Sequence, residues 1–248
     1  MKKREKLDIV QAFYPGAKST LDSLIISIDF IEDELDVEAT HIMFADSICS
    51  DDVNAIQYPL RAKDFLGPFK MGGLNGFPFT GLTGMGAFAS HVPDDGVVFI
   101  YYGPHIGVSK NGKIGQIQRF GQKESTTCCG AALAGLSKLK KGIIEDGTIS
   151  EIDYQMNYLE QIILKNETRI LKAKNQIIET TEVIYEAIDA RINELVDKTA
   201  FKCEHVILLG GILINGDTDM GSFFQTKRFD VIDVKSKIRK SYLDNMQA

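Results

Sequence analysis

No apolar run in this 248-residue chain approaches the ~18–20 residues that a membrane span needs. The longest candidate, 206–214, is strand-sized and contains Gly210 and Gly211. A basic block is also missing. Net charge is −6, and the basic start Lys2-Lys3-Arg4-Glu5-Lys6 is broken by an acid. Nucleic acid and anionic membrane surfaces are therefore not expected partners. No apolar h-region follows that start, so it reads as a solvated terminus rather than a signal peptide, and a cytoplasmic protein is expected. Cysteine is scarce: Cys49, Cys128, Cys129 and Cys203. Adjacent cysteines rarely pair with each other, and without a secretory signal the thiols are expected free or metal-bound. The chain has no G-x-x-x-x-G-K-[ST] phosphate loop and no H-E-x-x-H, and Gly81, Gly84 and Gly86 do not form a dinucleotide fingerprint.

The length suits one large α/β domain or two small ones. An apolar fraction of 44% and a charged fraction of 25% are ordinary for a globular protein. Residues 1–40 read as helical with a break at Pro15-Gly16, and 41–48 as a short buried strand ending at the Cys49 loop. A helix interrupted near Pro59 is expected over 52–66. The Gly-rich segment from Gly67 to Gly86 is interleaved with Phe69, Phe77, Phe79 and Leu82. It reads as backbone that approaches a site closely, since flexible linkers lack such aromatics. Val97 to Tyr102 predicts a second buried strand, ending at Gly103-Pro104-His105. Residues 109–113 carry a hairpin-turn signal, and 126–133 read as a helix N-terminus with a threonine available as N-cap. From Ser150 to Phe201 there is no Gly or Pro, and Leu159, Ile163, Ile170, Ile177, Ile184 and Ile188 recur at helical spacing. This predicts one very long helix or two packed ones, serving either as a dimerisation arm or as core. Strands are expected at 206–214 and 223–234, followed by a basic helical tail.

The chemistry centres on Asp46-Ser47-Ile48-Cys49-Ser50-Asp51-Asp52, which puts a cysteine two residues before an aspartate, directly after a strand. His105 also follows a strand, and Cys128-Cys129 opens a helix. In α/β sheets, sites collect at the carboxyl ends of strands. Two thiolates and one imidazole are the donor set of a catalytic zinc that keeps one position open for water, which points to metal-assisted hydration or hydrolysis. Taken singly, each of these residues reads as a buried hydrophobe or a satisfied histidine. Two rival readings stand: an activated cysteine nucleophile in Thr127-Cys128-Cys129-Gly130, and a Cys49/Cys129 redox pair.

Cys49-Ser50-Asp51 is similar to the start of the β-type carbonic anhydrase motif C-x-D-x-R, but Val53 stands at the arginine position. Several longer words resemble another family in the same order over about residues 40–135. They are 46–52, Gly72-Gly73-Leu74-Asn75-Gly76-Phe77-Pro78-Phe79, Gly84-Met85-Gly86-Ala87-Phe88, His91-Val92-Pro93-Asp94, Tyr102-Gly103-Pro104-His105-Ile106-Gly107 and Cys128-Cys129-Gly130. On them the chain resembles the limiting-CO₂-inducible protein B/C family, also called θ-class carbonic anhydrases. The resemblance implies an α/β fold with a β-carbonic-anhydrase-like central sheet flanked by helices. It implies one such domain over 1–248, with a helical segment 1–40, a zinc-site core 41–149, and long helices plus C-terminal strands over 150–248. It further implies Zn²⁺ held by Cys49, His105 and one of the cysteine pair, taken as Cys129 over Cys128. Asp51 becomes the aspartate of an Asp–Arg dyad, with Arg61 chosen as its arginine and Arg119 second. The implied activity is reversible hydration of CO₂ to bicarbonate by zinc-activated water in a homodimer. Phe77, Phe79 and Phe88 are candidate pocket walls, or core. His91 is a candidate proton shuttle, or an ordinary loop histidine. Some members of the family lack the activity, so a catalytically silent zinc-containing CO₂/bicarbonate-binding module is the alternative.

Overall fold

The computed structural model describes residues 2–55 and 58–247. The chain opens with α1 (Lys3–Gln11), β1 (Lys18–Ser19), α2 (Thr20–Leu35), β2 (Ile42–Ser47), β3 (Leu66–Lys70), α3 (Gly81–Ser90) and β4 (Val97–Tyr102). Short strands β5 (His105–Gly107), β6 (Gln116–Ile117) and β7 (Thr126–Thr127) precede α4 (Gly130–Lys140). Then come α5 (Tyr154–Lys165), α6 (Glu167–Lys172), α7 (Gln176–Lys198), β8 (His205–Asn215), β9 (Ser222–Asp233), β10 (Arg239–Ser241) and α8 (Leu243–Gln247).

The main sheet runs β1-β9-β8-β4-β2-β3, with β10 on β9 and β5 on β8. Strands β3, β2, β4 and β8 are parallel neighbours, and β9 is antiparallel to β8. Strand β4 is the uninterrupted apolar run VVFIYY because both its faces are covered. Val98, Ile100 and Tyr102 join the core under α3, α4, α5 and α7, while Val97, Phe99 and Tyr101 join the core under α2 and α8. The side-chain period of two thus sorts one strand into two cores. The result is the mixed α/β architecture expected, a central sheet flanked by helices. No helix among the described residues is long and apolar enough to cross a membrane.

Five local expectations differ. Residues 52–66 form two 3₁₀ turns, Asp52–Asn54 and Leu60–Asp64, rather than a helix; residues 56 and 57 of that segment lie outside the described ones. The Gly-rich segment contains an edge strand, β3, and a helix, α3. The N-cap of α4 is Cys129 and not a threonine. The stretch 150–201 holds three helices. Asn166 ends α5, and Asn175 caps α7 by accepting from the Ile178 amide (3.4 Å). Their apolar stripe, including Ile163, Ile170, Ile184, Ile188 and Ile192, is buried within the same chain. It is core, so it supplies no argument for a dimer. In place of the basic helical tail stand β10 and the short α8.

Candidate metal centre

Three adjacent parallel strands deliver the site at their carboxyl ends. Cys49 lies just past β2, His105 opens β5 just past β4, and Asn215 closes β8. Gly103 makes the step from β4 possible. Its φ is +153°, and a Cβ there would run into the carbonyl oxygen of Gly211 on β8. Only glycine lets the chain cross so close to β8, where His105 then pairs with Leu213. The fourth contribution comes from the start of α4, where Cys129 takes the N-cap position.

The Sγ atoms of Cys49 and Cys129 and a ring nitrogen of His105 all lie within 4.8 Å of one another. The three residues are 5%, 2% and 1% exposed, so bulk water does not solvate them. His105 Nδ1 donates to Asn215 Oδ1 at 2.8 Å, which leaves Nε2 as the free lone pair. Among the described residues Nε2 has no hydrogen-bond partner although it is buried. A buried polar atom without a partner is costly, and a cation between two sulfurs and this nitrogen would satisfy it. The donor set therefore fits a metal. The Cys128 Sγ, 3.7 Å from Nδ1 and 3.7 Å from Asn215 Oδ1, sits on the other side of the ring. Cys128 also forms a second possible cluster with His105 and Asp51, again within 4.8 Å. Cys203 lies elsewhere, its thiol donating to the His205 carbonyl (3.4 Å).

The ionisable groups of the cluster are tightly coupled to one another. A hydrogen bond from Cys129, outweighing burial and aided by His105, pulls the Cys49 thiol down to about 4. The same hydrogen bond, with burial, pushes the Cys129 thiol up. Burial opposes a charged His105, yet the cysteine sulfurs around it, Cys129 foremost, hold its pKa well above the ordinary imidazole value. Without a metal, the cluster keeps protons where a cation would sit.

Asp51 stands at the mouth, its Oδ2 4.0 Å from His105 Nε2. Its Oδ1 accepts from the Val53 amide (3.3 Å) as the cap of the Asp52–Asn54 turn. Burial would raise its pKa, but Asp52, the charge of His105, the Val53 amide and Arg119 together hold it below the usual carboxylate range. The arginine beside it is Arg119, whose Nη2 reaches both carboxylate oxygens at 3.0 and 3.2 Å. Arg119 is itself braced by Nη1 on Thr126 Oγ1 (2.5 Å) and on the Thr127 carbonyl (3.2 Å). Arg61 is not at the site. It pairs with Glu32 (2.5 Å) and with Asp29 on exposed α2, because the turn that carries it packs away from the strand ends. The choice of Arg61 over Arg119 is corrected accordingly.

Phe77 and Phe88 are core residues and Phe79 is half-buried. The Phe77 and Phe79 rings pack on Tyr158 of α5 (4.8 and 5.8 Å between centroids), and Phe88 packs on Phe69 (5.5 Å). His91 ends α3 edge-on to Phe69, away from the cluster. Sequence reasoning missed three asparagines. Asn75, fully buried, donates its amide N–H to Cys49 Sγ (3.1 Å) and accepts the His105 amide through Oδ1 (3.1 Å). Asn54 and Asn215 tie the loop of Asp51 to His105. The only local signal for Asn215 was its place at the end of an apolar strand, before Gly216.

Residues 18–233 match the family described as limiting CO₂-inducible proteins B/C beta carbonic anhydrases. No curated protein matches the chain. Among solved structures, PtLCIB4, a homolog of the limiting CO₂-inducible protein LCIB, is 27% identical, with a TM-score of 0.83 over 95% of this chain and 98% of that one. A histidine-to-alanine mutant of PtLCIB4 gives 26% and 0.85 over 96% and 99%. LCIB itself is 18% identical with a TM-score of 0.69 over 93% and 95%, a likeness of fold alone. The match to the family spans the strands, helices and loops that build the Cys49–His105–Cys129 cluster, and this chain belongs to the limiting CO₂-inducible protein B/C family of β-carbonic-anhydrase-like proteins.

Proposed function

We propose that this protein is a zinc-dependent carbonic anhydrase that interconverts CO₂ and bicarbonate. The observation that carries the reading is the donor set Cys49, His105 Nε2 and Cys129 with an arginine-held carboxylate, Asp51, beside it. Two sulfurs and one imidazole suit zinc over harder cations. Zinc held there would supply Lewis acidity, bringing the pKa of a water from about 15.7 toward about 7. The chain's own groups do the rest. Asp51 is ionised at neutral pH, so its Oδ2 can accept only; it takes a hydrogen bond from the reacting water and turns the oxygen lone pair toward CO₂. Arg119 keeps that carboxylate charged and aimed. The water oxygen bonds to the CO₂ carbon, and the balance of the reaction is one bicarbonate and one proton released to solvent. A cleft of about 470 Å³, with Asp52, Val53, Arg119 and Asn215 among its lining residues, opens on the Arg119 side of the dyad. A homodimer, which the family resemblance implies, and a cytoplasmic location also belong to this proposal.

A second reading has its own support. Asp51, His105 and Cys128 also lie within metal-ligating range of one another. If Asp51 itself ligates, the site is closed, and the protein binds zinc without hydrating CO₂. Metal analysis and stopped-flow CO₂ hydration decide between the readings. About one zinc per chain with rapid hydration, both lost in Cys49→Ser, is expected. Zinc without hydration would favour the closed form, and activity without metal would overturn both.

A further inference from the structure

Asn215 ends β8, is 3% exposed, and has both ends of its amide engaged. Its Oδ1 receives the His105 Nδ1–H at 2.8 Å and the Cys128 thiol at 3.7 Å. Its Nδ2 donates to the Val53 carbonyl (3.2 Å) and to Asn54 Oδ1 (3.1 Å). The orientation of both amides is fixed. Asn54 Nδ2 must donate to the Cys49 carbonyl (3.4 Å), so its oxygen faces Asn215 and demands a donor there. A continuous amide relay thus runs from the backbone of Cys49 through Asn54 and Asn215 to the ring of His105. It crosses the turn Asp52–Asn54, whose cap is Asp51.

We propose that Asn215 is the positioning residue of this centre, setting which nitrogen of His105 faces the metal and where Asp51 stands relative to it. The inference rests on the reading of Cys49, His105 and Cys129 as metal ligands. The chemistry needs asparagine at this position. A histidine that ligates through one nitrogen is held by an acceptor at the other, commonly a carboxylate or a carbonyl. Two thiolates already neutralise a divalent cation, so a carboxylate acceptor would make the centre anionic and weaken its Lewis acidity. An aspartate would also oppose the Val53 carbonyl and the Asn54 oxygen, where donors are required. Glutamine carries the same groups one methylene further out, which displaces both ends of the amide from partners now at 2.8–3.2 Å. The neutral amide alone offers an acceptor to His105 and two donor hydrogens to the Asp51 loop.

Two variants separate the two ends. Asn215→Leu removes both, and Asn215→Asp keeps the acceptor and removes the donors. Cobalt(II) is titrated into metal-free protein, CO₂ hydration is measured on the zinc-loaded protein, and ¹⁵N NMR of the zinc-loaded form reads which ring nitrogen of His105 carries the proton. Asn215→Leu is expected to lose ~10–100-fold in cobalt affinity and to show a mixed His105 ring state. Asn215→Asp is expected to keep cobalt affinity within about tenfold and the proton on Nδ1, while kcat for hydration falls ~10–100-fold with KM little changed. Asn54→Ala, which removes one acceptor of the relay, should resemble Asn215→Asp in milder form and serves where the leucine variant does not fold. Wild-type cobalt affinity and a single ring state in Asn215→Leu would overturn the His105 half of the proposal. Wild-type kcat in both Asn215→Asp and Asn54→Ala would overturn the Asp51 half. If the wild type binds cobalt yet hydrates no CO₂, the carbonic anhydrase reading falls, and the affinity and ring-state comparisons still decide the role of Asn215.

Discussion

In the proposed reaction Asp51 acts only as well as it is aimed, so the residue that aims it can be found by exchange. Arg119→Ala removes the guanidinium that spans both carboxylate oxygens, and CO₂ hydration is expected to fall by ~10–100-fold with zinc retained. Arg61→Ala should leave hydration at the wild-type rate and cost less than ~1 kcal/mol, because its pairs with Asp29 and Glu32 are exposed. Stopped-flow assays on the two variants check the assignment; the reverse pattern would refute it. The proton inventory makes a second prediction at this scale. The Cys49–Cys129 pair shares a proton, with the Cys49 thiol lowered and the Cys129 thiol raised by the hydrogen bond between them, and the surrounding sulfurs raise His105. Metal loading needs two thiolates and a neutral imidazole, so one proton leaves Cys129 and one leaves His105. Removing protons favours the ligand state, so zinc affinity should climb steadily from neutral into alkaline pH. Calorimetry in buffers of different ionisation enthalpy should register this release, and a loading that frees no protons would contradict the arrangement. Cys49, Asp51, His105 and Cys129 were legible in the sequence because each sits in a short word next to a strand or helix end. Arg119, Asn54 and Asn215 were not, because their meaning lies in partners such as the Asn215–Asn54 contact, 161 residues apart in sequence. Arg61 was the sequence choice, and the fold pairs it with Asp29 and Glu32 instead.

The strands and helices show the same division. Strands β2, β4 and β8 were readable as apolar runs because both faces of each are buried. Helix α3 was not, since Gly84 and Gly86 each cost about 1 kcal/mol of helix propensity; burial of Met85, Phe88 and Ala89 offsets that. Strand β3 was missed because it is an exposed edge strand containing Pro68, a composition that reads as loop. The break-free stretch 150–201 was correctly helical, but its interruptions come from Asn166 and Asn175, whose side chains and caps end helices without Gly or Pro. Because the stripe on α7 is internal, Ile188→Ala should destabilise the chain by ~2–5 kcal/mol in denaturant melts while leaving the mass by light scattering unchanged. A change of oligomeric state in this variant would instead make α7 an interface helix.

At the scale of the whole molecule, the site is a property of the finished sheet. Its groups come from the ends of three strands that neighbour one another in space, with β4 between β2 and β8, and from the start of α4, and they are spread from Cys49 to Asn215 along the chain. A zinc finger gathers its ligands within a short segment and is unfolded without metal, so there the ion drives folding. Here no short segment holds a complete donor set, and α5, α6, α7 and β8 are all made after Cys129. During synthesis, the histidine and both cysteines emerge before the strand that orients the histidine exists. If the site holds zinc as proposed, the ion is expected to bind a sheet already closed rather than to nucleate folding. On the proposed reading, such a site could be emptied and refilled, and the hydration activity would follow zinc supply without any change in how much protein is made.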